Sequence, residues 1–118
     1  KEIKVDEAHI LIMGLTFKEN CPDLRNSKVV DIIKELQDSG AQVDCFDPWV
    51  DPKEAAQEYG INLLSKPGEG SYDAIVLAVG HREFMDMGEE AIKSYGKDIH
   101  ILCDIKYLLP RESTDLRL

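Results

Sequence analysis

The sequence has 118 residues, 43% of them hydrophobic, with 23 acidic against 14 basic residues and a formal charge of −9 at pH 7. This length and hydrophobic fraction suit one domain with one core, and they exclude two independent cores. The negative charge disfavours nucleic acid and anionic lipid as partners, because both are bound chiefly through Lys and Arg.

No apolar run approaches the ~20 residues that a membrane span requires. The 3 cysteines are widely spaced, which indicates a reducing compartment rather than a disulfide framework. We therefore expect a cytoplasmic protein that binds neither nucleic acid nor membrane. Residues 1–7 are largely charged and begin with Lys1 rather than Met, so we expect them to be the remnant of a preceding segment.

Two continuous apolar runs, residues 8–14 and 74–79, predict strands that are buried on both faces. Residues 42–46 and 100–104 predict two further strands, and residues 61–64 a short edge strand. Cap residues and the helical spacing of apolar side chains predict helices between the strands. The predicted helices run from Asn26 or Ser27 to Gly40, from Asp51 and Pro52 to Gly60, and from about Phe84 to Gly96.

The alternation of strands and helices, with short connections, implies right-handed crossovers in a parallel sheet. The predicted fold class is α/β: a Rossmann-like, three-layer α/β/α domain with an open, mostly parallel five-stranded sheet. Residues 109–118 show no clear period and are left without an element.

In an open parallel sheet, ligands bind beyond the carboxyl ends of the strands. The loops at that edge are those after Gly14, Asp47, Val79 and Asp104. The first carries Lys18 and Arg25 and leads into a helix N-terminus, whose amides favour an anion. Lys106 follows the last strand. Two interpretations stay open here: the three cations converge on a pyrophosphate, or they are ordinary surface residues.

The first turn does not match the dinucleotide fingerprint G-x-G-x-x-G. Gly14 is followed by Leu15 and Thr16, and Glu19 stands in the place of the last glycine. A full NAD cradle in this chain is therefore not expected. Asp47 lies where a ribose-binding acid would lie, but the proline that follows it favours a turn or cap role.

Three other residues near the predicted ligand edge are candidates for a functional role. Cys21 is interpreted as a spectator thiol, because no histidine is adjacent. His81 either lines the ligand edge or, as the pattern favours, is a turn-forming surface histidine. Trp49 is interpreted as a hydrophobic plug at a loop or interface. The histidines and cysteines lack metal-ligand spacing, so no metal site is expected.

The loop after the first predicted strand carries a long motif. Its residues G-L-T-F-K-E-N (14–20) and D-L-R-N-S (23–27) resemble the signature G-(L/I)-(T/A)-F-K-x-(N/D)-x-x-D-x-R-x-S. That signature belongs to the UDP-glucose/GDP-mannose dehydrogenase family, at the start of its C-terminal domain. The resemblance continues through residues 43–48 and 73–81 and through Asp104 with Lys106, so it covers nearly the whole chain after about residue 8.

Members of that family oxidise C6 of a nucleotide-linked sugar to a carboxylate with NAD. The resemblance implies that residues 1–118 are one nucleotide-sugar-binding domain, that the absent N-terminal domain binds most of the NAD, and that the full-length enzyme is a homo-oligomer, a dimer or larger. It also implies that Phe17, Lys18 and Lys106 contact the nucleotide sugar and that Arg25 crosses to the NAD. It implies no catalytic residue in this chain, so the fragment alone is expected to be inactive.

Two short segments indicate a subgroup within the family that the chain resembles. The form T-F-K-E-N-C-P-D and the D-P-W at residues 47–49 are similar to the subgroup that acts on UDP-N-acetylhexosamines. This implies a role in capsule or surface polysaccharide biosynthesis. The last strand is followed by D-I-K rather than the D-G-R of the glucose enzymes, which disfavours UDP-glucose as the substrate.

Two alternatives come from other classes of protein. A receiver-like regulatory module needs an acidic pair after the first strand to bind Mg²⁺, where this chain has Phe17 and Lys18. A free-standing nucleotide-binding module without catalytic activity would share all the motifs above, and only the length of the native protein separates it from an enzyme domain.

Overall fold

Five parallel strands form one open sheet, whose spatial order is β2-β1-β3-β4-β5. The computed structural model describes residues 5–25, 27–106, 108–109 and 111–117. The strands are β1 (His9–Met13), β2 (Gln42–Phe46), β3 (Tyr72–Leu77), β4 (Gly96–Asp104) and β5 (Leu116–Arg117). The helices are α1 (Lys28–Asp38), α2 (Pro52–Tyr59) and α3 (Arg82–Lys93), with short 3-10 helices at Val5–Glu7 and Arg111–Ser113.

The central strands β1 and β3 are mostly apolar because helices cover both faces of the sheet. On one face, Ile12 of β1 belongs to the same core cluster as Ile33 of α1 and Ala55 of α2. On the other face, Leu11 of β1 shares a cluster with Phe84 of α3. Alternate residues of one strand therefore serve two cores, and the predicted three-layer α/β/α class is confirmed.

The helix starts agree with the predicted cap residues. Ser27 caps α1, since its side chain accepts a hydrogen bond from the N–H two residues on, and Asp51 caps α2 in the same way. Gly60 ends α2 in the left-handed region with a φ of 68°. Asn26, the alternative cap for α1, lies outside the described residues.

Helix α3 ends earlier than predicted. Its C-cap is Ser94, and Gly96, which was predicted to close the helix, instead opens β4. The reason is strand pairing, because Gly96 is the register partner of Tyr72 in β3. No helix within the described ranges is long and apolar enough to cross a membrane.

The edge strand predicted at residues 61–64 does not form. Leu63 makes only an isolated bridge to Cys45, and Ile61 is buried in the core beneath α1 and α2. Core packing rather than a hydrogen-bonded ladder holds this segment. The fifth strand is instead the short β5, which pairs with the end of β4 at Cys103 and Asp104.

Candidate functional site

A cleft of about 190 Å³ opens at the carboxyl edge of the sheet, where β1 and β3 run out and α1 begins. Its apolar lining comes from Val29 and Ile32 of α1, Val79 after β3 and Ile105 after β4. Its polar lining comes from Thr16, Lys28 and Lys106, and Phe17, a residue 54% exposed, contributes an aromatic ring. An apolar wall beside two ammonium groups suits a ligand that joins a flat, weakly polar group to an anion.

The two lysines of the cleft come from different parts of the chain. Lys28 is the first residue of α1, and Lys106 follows β4. Among the described residues, neither ammonium has an ion-pair partner, so both are available to an anionic ligand. The sequence did not identify Lys28 as a site residue, because no motif points to it. The only signal was its position at a helix start on the ligand edge.

The loop between β1 and α1, called here the β1–α1 loop (residues 14–25), carries the other predicted cations. Lys18 is exposed but does not line the cleft. Arg25, whose side chain is 83% exposed, pairs with Asp23 through Nε to Oδ1 at 3.1 Å and Nη2 to Oδ2 at 3.2 Å. Hydrogen bonds from Arg25 hold the pKa of the Asp23 carboxyl below its usual range, and the charge of Lys18 adds to this effect.

The four site residues predicted from the sequence thus divide into two pairs. Phe17 and Lys106 meet in the cleft, whereas Lys18 and Arg25 lie outside its lining and share Asp23 as a neighbour. The two pairs belong to one edge of the sheet, since Phe17 and Lys18 are consecutive.

Asp47 joins the end of β2 to the β1–α1 loop. Its Oδ2 accepts the backbone N–H groups of Leu15 (2.7 Å) and Thr16 (3.2 Å), and its Oδ1 accepts that of Trp49 (2.8 Å). The Trp49 bond is the turn role predicted for this residue. Because the side chain is fully buried and its oxygens are occupied, Asp47 is not available to bind a ribose hydroxyl.

His81, the N-cap residue of α3, is buried with 0% exposure, so the expectation of a surface histidine is wrong. Its Nε2 lies 2.9 Å from Asp47 Oδ2 and 3.1 Å from Thr16 Oγ1. Its Nδ1 lies 2.9 Å from the backbone nitrogen of Asn20. The loops after β1 and β2 both bind the nitrogens of this ring, which the loop after β3 carries.

Trp49 covers the buried histidine, as a hydrophobic plug would. Its ring stacks on His81 with centroids 5.9 Å apart and an interplanar angle of 25°. The guanidinium of Arg82 lies 5.4 Å from the indole centroid, and the indole N–H donates to Glu83 at 2.9 Å. That hydrogen bond lowers the pKa of the Glu83 carboxyl.

The structure identifies no reactive thiolate among the three cysteines, all of which lie in the described residues. All three are free thiols; Cys45 is buried in β2 and Cys103 partly buried in β4, and desolvation raises the pKa of both. Cys21 is partly buried in the β1–α1 loop. In the part of the chain that the structure describes, no group of three or more His, Cys, Asp or Glu side chains could hold a metal ion.

Comparisons with known proteins show a family, and the relatives that match include two dehydrogenases of high identity. The model of the UDP-glucose/GDP-mannose dehydrogenase family, UDP binding domain, matches residues 11–111. The UDP-N-acetyl-D-glucosamine 6-dehydrogenase of Pseudomonas aeruginosa is 57% identical over 118 residues, which are 100% of this chain and 28% of the relative. The protein of the same name from Salmonella typhi is 52% identical, with the same coverage.

Among solved structures, a UDP-D-ManNAc dehydrogenase from Pyrococcus horikoshii has a TM-score of 0.73 and 30% identity, covering 98% of this chain and 26% of that one. The chain spans 28% of the length of each of these two dehydrogenases from Pseudomonas aeruginosa and Salmonella typhi.

Proposed function

The chain belongs to the UDP-glucose/GDP-mannose dehydrogenase family, and from that premise we propose that it is the nucleotide-sugar-binding domain of an NAD-dependent 6-dehydrogenase. The proposed enzyme oxidises the C6 hydroxyl of the sugar to a carboxylate. The observation that carries the proposal is the cleft at the carboxyl edge of the sheet, where apolar residues lie beside Lys28 and Lys106 in a domain of charge −9.

The chemistry of the cleft supports a nucleoside diphosphate as the bound part of the substrate. Lys28 and Lys106 supply positive charge for the diphosphate, and Phe17 and the apolar lining suit a base or ribose. Lys18, next to Phe17, is proposed to reach the same ligand from outside the cleft. The high identity to two UDP-N-acetyl-D-glucosamine 6-dehydrogenases favours a UDP-N-acetylhexosamine as the substrate.

The cleft is smaller than a complete site. Pockets that enclose a ligand of this size have volumes of about 300–1,000 Å³, against about 190 Å³ here. A second surface would therefore have to complete the site, and we assign that surface to the rest of a longer protein, in which residues 1–118 form one domain. The binding energy of the diphosphate would then hold C6 in place for a reaction carried out by groups elsewhere.

The residues present do not fit an NAD cradle. The turn after β1 is filled by the buried side chains of Leu15 and Thr16, and Asp47, at the position of a ribose-binding acid, is fully occupied by N–H donors. NAD supplies the hydride acceptor in such enzymes, and we assign its binding mainly to the remainder of the protein. The contribution proposed for this chain is Arg25, whose exposed pair with Asp23 is weak enough to be exchanged for a phosphate.

The wider setting is proposed on the same premise. The intact enzyme is taken to be a homo-oligomer that supplies oxidised sugars for a capsule or surface polysaccharide. Free thiols in all three cysteines fit a reducing compartment such as the cytoplasm. A receiver-like module fits less well, because the β1–α1 loop opens with Phe17 and Lys18 where an acidic pair would be needed.

Replacing Lys18 or Lys106 with alanine in the full-length enzyme is expected to lower kcat/KM for the nucleotide sugar by about tenfold, or 1.4 kcal/mol. Each substitution removes a cation that faces the diphosphate in this proposal. Steady-state kinetics at saturating NAD measure the effect. The matched control is Lys34→Ala, which removes an exposed lysine of α1 that binds the carbonyl of Tyr59 and should change kcat/KM by less than about twofold.

Arg25→Ala forms the second arm of this experiment. It should raise the KM for NAD and leave the KM for the nucleotide sugar near the wild-type value. Folded Lys18 and Lys106 variants with wild-type kinetics would count against the proposed site, and an unchanged KM for NAD would count against the role of Arg25 alone.

A further inference from the structure

His81 lies at the junction of three loops beside the cleft. We propose that it is a positioning residue of the nucleotide-sugar site, which holds the β1–α1 loop in the shape that presents Phe17 and Lys18 to the ligand. This inference rests on the proposed function and adds a residue that does not itself line the cleft. The support for this role is the set of hydrogen bonds that the His81 ring makes and the backbone that those bonds hold in place.

The hydrogen-bond partners of the ring determine which nitrogen carries the proton. A backbone N–H can only donate, so Nδ1, 2.9 Å from the nitrogen of Asn20, must accept. The ring proton is therefore on Nε2, which faces the carboxylate of Asp47 at 2.9 Å and the hydroxyl of Thr16 at 3.1 Å. One ring thus links the loop after β3 to the loops after β1 and β2.

The consequences for the β1–α1 loop follow bond by bond. The hydroxyl of Thr16 donates to the carbonyl of Lys18 at 2.9 Å, so the ring supports that carbonyl through Thr16. The N–H of Asn20 is bound by His81, and its side-chain Oδ1 accepts the N–H of Arg82 at 2.8 Å. Asn20 itself has a φ of 54°, an uncommon value for a residue with a side chain.

The anchors stand on both sides of the two ligand-facing side chains. Thr16 is held before them and Asn20 after them, while Phe17 and Lys18 remain exposed between the two. Fixing the backbone in advance spares the ligand the cost of ordering the loop when it binds. Loss of the Nδ1 bond would remove one of the two bonds that hold Asn20 and should weaken binding without removing any ligand contact.

The test uses the full-length protein and UDP as the probe, with Kd measured by isothermal titration. His81→Leu removes both nitrogens and is expected to raise the Kd by about tenfold. His81→Asn places an amide oxygen near the position of Nδ1, so it should restore the Asn20 bond and keep the Kd within about threefold of the wild-type value. If His81→Leu does not fold, His81→Gln carries the same expectation, since its amide lies near the position of Nε2 rather than Nδ1 and leaves the Asn20 N–H without an acceptor.

The matched control is His9→Leu. Like His81, His9 is bound to an aspartate, with Nε2 2.8 Å from Asp44 Oδ2, but it is only partly buried and lies at the amino end of β1, away from the cleft. It should lower the melting temperature and leave the Kd for UDP unchanged. A role confined to stability would make the His81 and His9 variants behave alike.

The outcomes separate this inference from the proposed function. Wild-type affinity in a folded His81→Leu protein would overturn the positioning role and leave the site in place. Equal losses in His81→Asn and His81→Leu would also overturn it, because the bond to Asn20 would then not matter. Failure of the wild-type protein to bind UDP would overturn both.

Discussion

Replacing Gly14 with alanine is expected to lower the free energy of unfolding by about 4 kcal/mol, a large share of the roughly 5–15 kcal/mol of a typical domain. Gly14 has a φ of 102°, and a side-chain carbon there would lie 2.6 Å from Cβ and 2.8 Å from the backbone nitrogen of Val79. A methyl group in this position must push apart the ends of β1 and β3. The same movement would deform the cleft, which Val79 lines.

Urea denaturation followed by circular dichroism measures this effect. The matched control is Gly60→Ala, where φ is 68° but nothing lies within 4 Å of the added carbon. That variant bears only the conformational cost of a left-handed residue, about 1–2 kcal/mol. Equal losses at the two glycines would show that the close approach of Gly14 to Val79 contributes nothing.

Replacing Asp47 with alanine is expected to cost about 4 kcal/mol, because an unsatisfied buried donor costs ~1–3 kcal/mol and several are created at once. The carboxylate accepts hydrogen bonds from three backbone N–H groups and from Nε2 of a neighbouring histidine ring. These partners are Leu15, Thr16, Trp49 and His81. Water entering the space left by the carboxylate would satisfy some of them, so the individual costs do not simply add.

The matched control for Asp47 is Asp51→Ala. Asp51 is exposed and caps α2 by accepting the N–H of Lys53 at 2.9 Å, so its removal should cost about 1 kcal/mol. Thermal unfolding of both variants under the same conditions makes the comparison. A loss at Asp47 no larger than that at Asp51 would mean that the carboxylate does not hold the loops together.

Much of the fold could be predicted from the sequence because its signals are local. The run at residues 8–14 marks a strand covered on both faces, and β1 lies inside the sheet between β2 and β3. Ser27 and Asp51 mark helix starts and Gly60 marks a helix end, and each of these signals depends on the chemistry of one residue. Such features depend on a few neighbouring residues, so the chain order suffices to find them.

The elements that were missed depend on distant partners. Gly96 belongs to β4 because it pairs with Tyr72 of β3. Strand β5 forms only because it pairs with the end of β4. Residues 61–64 show strand-like composition, but Ile61 is held in the core and only Leu63 bridges to β2. Strand pairing between distant parts of the chain overrides local composition in the first two cases, and core packing does so in the third.

The residues of the candidate site also divide into those that local sequence predicts and those that depend on distant partners. The motif that led to Phe17 and Lys18 is a continuous stretch of sequence, so it could be found without coordinates. The burial of His81 arises from Thr16, 65 residues earlier, and from Asp47, 34 residues earlier. No periodicity or spacing marks such a junction. Lys28 joins the cleft only because α1 begins there.

The two ends of the sheet differ in chemistry, which gives any binding test an internal comparison. At the amino end, Asp44 accepts from the hydroxyl of Tyr72 at 2.8 Å, and Lys97 binds Asp73 at 3.0 Å. Hydrogen bonds of this kind satisfy the groups that form them. The cleft at the carboxyl end instead leaves two ammonium groups without a partner among the described residues.

Titration of the isotope-labelled chain with UDP, followed by the backbone amide resonances, tests most directly whether the carboxyl edge is a nucleotide site. The amides of Phe17, Lys28 and Lys106 should shift with increasing UDP, while those of Tyr72 and Lys97 at the opposite edge should stay in place. The absence of any shift at millimolar UDP, or shifts confined to the amino end of the sheet, would contradict the assignment.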